Sequence, residues 1–302
     1  MLLSDLNLTL QRSAARGLLP LALGSRAARA KLSRSIRRGA VFSARTTNAD
    51  YLHAIFEAVN RMLEGGYESD MAAQRLALKQ LLARLQYDPA TGFPGDEAHG
   101  IPPAEPGSLQ DLSSSQRIDL ILETQTGLMR GAVQNAKGLE PSAMKQFPWW
   151  KLVRIEDRRV PRGSPDSGTK GWNTRWLEAA GPEPVTYQNK TLLIAPKNHI
   201  VWRNLGDSRL FEDALDTDHE PYAFRSGWGR VQVHWTEGRA MGLPLPDYVL
   251  NTPKLTPGSQ PITLPPPRAS VSRFTAPEKA TLKRALQDLG PVMELGDILK
   301  LS

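Results

Sequence analysis

Glu212, Asp213, Asp216, Asp218, His219 and Glu220 crowd into one short stretch, LFEDALDTDHEPYAFRSGWG, which runs from Leu210 to Gly229. Carboxylates beside a histidine can hold a divalent cation or work as an acid/base pair. They can also fasten a chain reversal, because aspartate side chains accept hydrogen bonds from nearby backbone amides. Asp216-x-Asp218-x-Glu220 has the alternation of the first half of a calcium loop. Pro221 then stands where that loop needs a flexible glycine turn, and Gly227 occupies the twelfth position, where a bidentate glutamate belongs. A two-metal nuclease would need further carboxylates, which Glu156 or Asp157 could supply to a set with Asp216, Asp218 and His219, though no spacing makes them converge. The mismatch favours a corner fastened by Asp216 and Asp218, with Tyr222, Phe224 and Trp228 packing inward to anchor it.

Other chemistry is sparse. The five histidines, His53, His99, His199, His219 and His234, are scattered, and none has the i,i+4 partner of a helix-borne metal site. There is no cysteine, which excludes disulfides, thiol catalysis and thiolate zinc sites and fits a reducing compartment. No glycine-rich phosphate loop and no nucleophile elbow occurs. Nothing calls for a cofactor. The tryptophans Trp149, Trp150, Trp172, Trp176, Trp202, Trp228 and Trp235 are interleaved with Arg154, Arg158, Arg159 and Arg175. That pattern could stack on single-stranded nucleic acid, but large rings more often build the core of a small mixed domain.

The charge is unevenly placed. Residues 1–45 hold nine Lys/Arg against Asp5 alone, while the other 257 residues carry 29 positive and 30 negative charges. A basic N-terminal arm on a near-neutral body suits nucleic acid or an acidic protein surface, or is a solvated basic helix face. No apolar run approaches the ~18 residues of a membrane span, so no membrane partner is expected. Asp5, Arg12 and Arg16 interrupt the apolar N-terminus, and charge does not precede the apolar run as it would in a signal peptide.

The elements that must position these residues follow from periodicity. SRAARAKLSRSIRR reads as a basic helix ending near Gly39. Tyr51, Ile55, Phe56, Val59, Met62 and Leu63 form one helical stripe, opened by Thr47 or Asn48 and stopped by Gly65–Gly66. Met71, Leu78, Leu82 and Leu85 make a second stripe ended by Pro89, so the two helices should form a hairpin. Residues 88–107 hold nine Pro/Gly and read as a linker or surface loop. The longest helix should run from about Ser114 to Lys137, buried through Ile118, Ile121, Leu122, Leu128, Met129 and Ala132 and capped by a serine of 113–115. Gly127 and Gly131 weaken it and suit close packing against another backbone. Trp150, Leu152, Val153 and Ile155 mark a strand. Asn173–Gly181 should be a short helix, KTLLIAP a strand, HIVWRNLG a short helix and RVQVHW an alternating strand. Eight prolines in 244–268 imply an extended arm, followed by a helix in APEKATLKRALQDLG capped by Thr275. The expected fold is α+β: a helical N-terminal region, a mixed central domain with a small antiparallel sheet, and a proline-rich C-terminal arm with a terminal helix. The expected divisions are a basic arm (1–45), a helical hairpin and linker (46–107), an α+β domain (108–243) and the proline-rich arm with its helix (244–302).

Four passages carry a further signal. In RIDLILETQTGLMRGAVQN an apolar helix bears Glu123, Thr124 and Gln125, then Arg130, then Asn135. In WWKLVRIEDRRVPR, Trp150 leads to Asp157, Arg158 and Arg159. VWRNLGDSRLFEDALDTDHEPYAFRSGWG, with Asp216 and Asp218, ends in a Pro221-to-Phe224 turn before Ser226–Gly227. AVFSARTTNADYLHAIFEAVNRMLEGG is the fourth. In patches over residues 35–245, these resemble the minor head proteins of tailed phages and prophages, the head-morphogenesis family named after the F protein of phage Mu. The chain departs from members that close with His-Pro and two cysteines, so no metal role for such a pair carries over. The resemblance implies a structural component of the virion, in the head or at the head–tail junction and assembled in the host bacterial cytoplasm. It implies few copies, no established enzymatic chemistry, and a portal protein or inner capsid surface as partner. Arg26, Arg29, Lys31, Arg34, Arg37 and Arg38 of the basic arm would then meet packaged DNA or an acidic portal surface. The rivals are a metal-dependent nuclease using Asp157, Asp216, Asp218 and His219, and a DNA-binding accessory protein acting through the arm alone.

Overall fold

The stripe that begins at Tyr51 becomes helix α3 (Ala49–Glu64), preceded in the chain by α1 (Leu3–Ala14), β1 (Gly17–Leu18), α2 (Ser25–Lys31) and β2 (Ala40–Val41). Asn48 caps α3 by accepting the Tyr51 N–H at 2.9 Å, and Gly65 ends it with a positive φ of 80°. Asp70 opens α4 (Met71–Arg84) in the same way, accepting from the Ala72 amide. In this computed structural model the chain is described over residues 3–32, 37, 39–65, 70–157, 163, 170–181, 186–187, 190–191 and 193–250. The proline-rich stretch from 251, the helix expected after Thr275, and Arg34, Arg38 and Arg158 lie outside the described residues. The fold is α+β, and no helix among the described residues is long and apolar enough to cross a membrane.

The chain forms two compact units, which meet in sequence between Met129 and Arg130. In the first, Tyr51, Leu52, Ile55 and Val59 of α3 pack with Leu78 and Leu82 of α4. Ile118, Ile121, Leu122 and Met129 of the longest helix, α5 (Ser115–Gly138), join them. The Ser114 hydroxyl starts α5 by accepting the Arg117 N–H. Residues 17–32 and 39–46 are woven into this unit: β1 pairs in parallel with β2, and Leu19, Leu21, Ala28 and Val41 are buried.

The 88–107 segment is more than a linker. Phe93 is buried against Tyr51 and Tyr87, and the buried Asp96 carboxylate accepts from the Phe93 amide and the Thr47 hydroxyl. Its Pro/Gly density supplies turns, and one aromatic ring ties those turns to the core.

The second unit is built on a three-stranded antiparallel sheet, in the order β6 (Ile194–Pro196), β3 (Trp149–Arg154), β7 (Trp228–Val233). Around it lie α6 (Pro141–Gln146), α7 (Trp172–Ala180), α8 (Val201–Asn204), α9 (Trp235–Ala240) and α10 (Asp247–Leu250), with the two-residue pair β4 (Thr186–Tyr187) and β5 (Lys190–Thr191) between α7 and β6. One sheet face, through Trp150, Leu152 and Ala195, packs on Trp172, Trp176, Trp202 and Tyr222. The other face, through Trp149, Ile194 and Val233, packs on Leu243. A strand buried on both faces explains why adjacent tryptophans 149 and 150 are both internal. Five of the seven tryptophans, Trp149, Trp150, Trp172, Trp176 and Trp202, are buried as core. Ile155, expected among the buried set, is 60% exposed because it lies one residue past the last ladder pair, Arg154 with Trp228.

Candidate functional site

The acidic segment closes on itself as a corner. Ala214 bridges Ala223, and the Leu215 amide donates to Tyr222 O at 3.0 Å. Inside that loop the Thr217 hydroxyl donates to His219 O at 2.8 Å, and the Glu220–Pro221 peptide is cis. Asp216 takes a left-handed φ of 60°, which aspartate tolerates better than most side chains. Its carboxylate accepts from the Ser208 amide at 2.9 Å and the Ser208 hydroxyl at 2.8 Å. The other acids are also engaged: Asp213 pairs with Arg175 at 2.7 Å, and Asp207 with Arg209 at 2.6 Å. The Asp218 carbonyl accepts from Arg230.

Arg230 is the centre of this arrangement. Its side chain is 3% exposed, its Nε donates to Glu220 Oε2 at 2.7 Å, and its Nη2 donates to Asn135 Oδ1 at 3.1 Å. The guanidinium carbon lies 3.9 Å from the centre of the Trp150 ring. A planar cation on an aromatic face, with a carboxylate at its edge, satisfies a buried charge that would otherwise be costly. Lys197 adds a second buried cation near the same ring. Its Nζ donates to Gly138 O at 2.7 Å, Ala143 O at 3.2 Å and Gln232 Oε1 at 2.7 Å, so it caps the carbonyl end of α5. Burial, then the Arg230 charge, lowers its pKa to about 8.

His219 lies under α5. Its Nδ1 is 2.8 Å from Glu220 O, and since a carbonyl only accepts, that nitrogen carries the proton. Burial pushes its pKa down to about 4, so it is neutral at pH 7. Gly131 makes the approach possible: a methyl group there would lie 1.8 Å from the Glu220 carbonyl oxygen and 2.9 Å from His219 Nδ1.

The residues singled out from sequence do not form one cluster. Asn135 and the Asp218–Pro221 turn meet at Arg230, whereas Asp157 is 96% exposed and pairs loosely with Arg154 at 3.8 Å. Glu123 and Arg130 are exposed on α5, Thr124 is half-buried, and Phe224 is half-buried after the turn. Gln125 is buried in the first unit, where it accepts from Arg16 and donates to Phe42 O. Of the basic residues, Arg26 is exposed on α2 and Arg29, Lys31 and Arg37 are half-buried. Arg16 is internal, its pKa lowered to about 10 by burial. Among the described residues no three His, Asp or Glu side chains gather as a metal site. Sequence reasoning missed Arg230 and Lys197, which carried no signal. Arg175, set between Trp172 and Trp176 and lying 4.1 Å from the Phe211 ring centre, was marked by its place among aromatics.

No protein-family model matches the chain, and no curated protein or solved structure shows significant similarity to it.

Proposed function

We propose that the chain is a structural minor head protein of a tailed phage or prophage, attached to the portal or inner capsid and acting in head morphogenesis or DNA packaging and ejection. The observation that carries this reading is the meeting at Arg230. Three of the passages that resemble the phage family supply its surroundings: Asn135 from the long helix, Trp150 from the strand, and Glu220 from the closing segment. Lying up to 95 residues from Arg230 in the chain, they form one folded unit, as the shared parts of a family should. The acidic stretch supports the same reading from its chemistry. Asp207, Asp213, Asp216 and Glu220 spend their oxygens on arginines and on Ser208, which is the work of a corner. Arg26, Arg29 and Lys31 of α2 offer an electrostatic contact for packaged DNA or an acidic portal surface, one that weakens steeply with salt.

The test is to co-express the tagged full chain with the portal protein of its own phage or prophage and to assay purified heads for the chain. Co-purification and a place in the particle are expected. A chain absent from heads and from portal complexes overturns the reading. Removal of residues 1–45 tests the arm separately, by its effect on particle incorporation and DNA retention.

A further inference from the structure

Strand β7 ends the three-stranded sheet, and among the described residues no strand pairs with its outer side. The direction of its backbone follows from its neighbour. The Leu152 N–H donates to Leu193 O on the β6 side, and the Ile155 N–H donates to Gly227 O on the β7 side. Residues of β3 therefore alternate, with Trp149, Lys151 and Val153 turned toward β7. Their register partners Val233, Val231 and Gly229 turn inward to meet them, which leaves the N–H and C=O groups of Arg230 and Gln232 pointing out from the sheet. An open edge of this kind is a template for another strand. Several of the devices that usually block one do not occur within the strand itself. From Trp228 to Val233 there is no proline and no lysine, and the register is unbroken by a bulge. The single charge, Arg230, is held against Trp150 and Glu220, while Val231 stands 44% exposed on the opposite face.

We propose that β7 pairs with β7 of a second copy of this chain, antiparallel about a two-fold axis at Val231, joining two three-stranded sheets into one of six strands. Only pairings that set outward residues opposite outward residues form hydrogen bonds. An axis at Val231 meets that condition, placing Arg230 opposite Gln232 of the second copy and Gln232 opposite its Arg230, each pair exchanging two N–H···O bonds. An axis at Arg230 would also meet it, but sets two like charges opposite each other, which is destabilising. The Val231 axis places the exposed Val231 against its own copy in a non-hydrogen-bonded pair, where side chains come closest. The segment is thus self-complementary in hydrogen bonds and apolar surface, as an isologous interface requires. This pairing does not depend on the phage assignment.

The chain has no cysteine, so a single one introduced at the axis reports the contact directly. At a non-hydrogen-bonded pair the Cα atoms lie about 4.5 Å apart, inside the range a disulfide spans. Full-length Val231→Cys should cross-link rapidly to a reducible dimer under mild oxidation. Leu177→Cys, equally exposed on α7, should cross-link only at the rate of random collision. Sedimentation of the unmodified chain should show a concentration-dependent dimer, and Val231→Lys should shift it to monomer with its thermal melt retained. Equal cross-linking of the two cysteine variants overturns the proposal. So does a wild-type chain that stays monomeric at every concentration, which is the outcome expected if the edge instead receives a strand from a different protein.

Discussion

The Arg230 guanidinium stacks on the Trp150 ring at 3.9 Å, joining a residue of the edge strand to one of the central strand on the sheet face that carries the aromatic core. Glu220, 13% exposed at its side chain, closes the pair at 2.7 Å. Removing one partner of a buried ion pair leaves the other charge without compensation and costs about 3–5 kcal/mol. Arg230→Met should destabilise the protein by that order in urea unfolding, and Arg230→Lys should not rescue it, since an ammonium cannot both stack and reach Asn135. The double variant Arg230→Met/Glu220→Gln should recover a large part of the loss, because the stranded carboxylate is gone.

Gly131 gives a prediction of opposite sign to the usual helix rule. Replacing a helical glycine by alanine normally gains about 1 kcal/mol in propensity. Here the added methyl would meet the Glu220 carbonyl at 1.8 Å, a backbone atom in a loop tied down by Thr217 and Arg230. Gly131→Ala should therefore lower the melting temperature, and a melt equal to or above wild type would show that the corner moves aside freely.

What could be read in the sequence was local. The stripe of α3, its cap at Thr47 or Asn48, the strand at Trp150 and a close approach at Gly127 or Gly131 all follow from period, capping chemistry or the absence of a side chain. The centre of the candidate site could not be read that way. In RVQVHW, Arg230 looks like the polar half of an alternating strand. Nothing nearby announces that its partners are ten residues back at Glu220 and 95 residues back at Asn135. Phe93 was hidden for a related reason: a lone aromatic in a Pro/Gly-rich run has no periodic neighbours to mark it as core. Ile155 misled in the other direction, because apolar type says nothing about where a ladder stops.

Asp216 separates the corner from the nuclease rival. Asp216→Ala removes the acceptor for the Ser208 amide and hydroxyl and places a less tolerant residue at φ 60°. A loss of about 1–3 kcal/mol is expected for the stranded donors. Asp216→Asn keeps an oxygen for the amide and the tolerance of a left-handed backbone, so its loss should be smaller. With plasmid DNA and magnesium or manganese, wild type and Asp216→Ala/Asp218→Ala should behave alike. Metal-dependent cleavage by wild type that disappears in the double variant would establish the rival.

His219 sets a pH dependence whose sign is fixed by burial. Its folded pKa is about 4, against 6.5 for the free side chain, chiefly because the buried ring resists charging. The Glu220 carbonyl and the charges of Asp218 and Glu220 favour protonation, and Arg230 opposes it. Between those two values the unfolded chain binds a proton that the folded chain refuses, so stability falls as pH falls. The contribution is intact above pH 6.5 and lost progressively toward pH 4, reaching about 3 kcal/mol at 1.36 kcal/mol per pKa unit. His219→Gln removes the titration, so the difference in unfolding free energy between wild type and variant should change across that window and level off on either side. A difference that stays flat from pH 7 to pH 4 would mean that the ring reaches solvent and protonates in the folded protein.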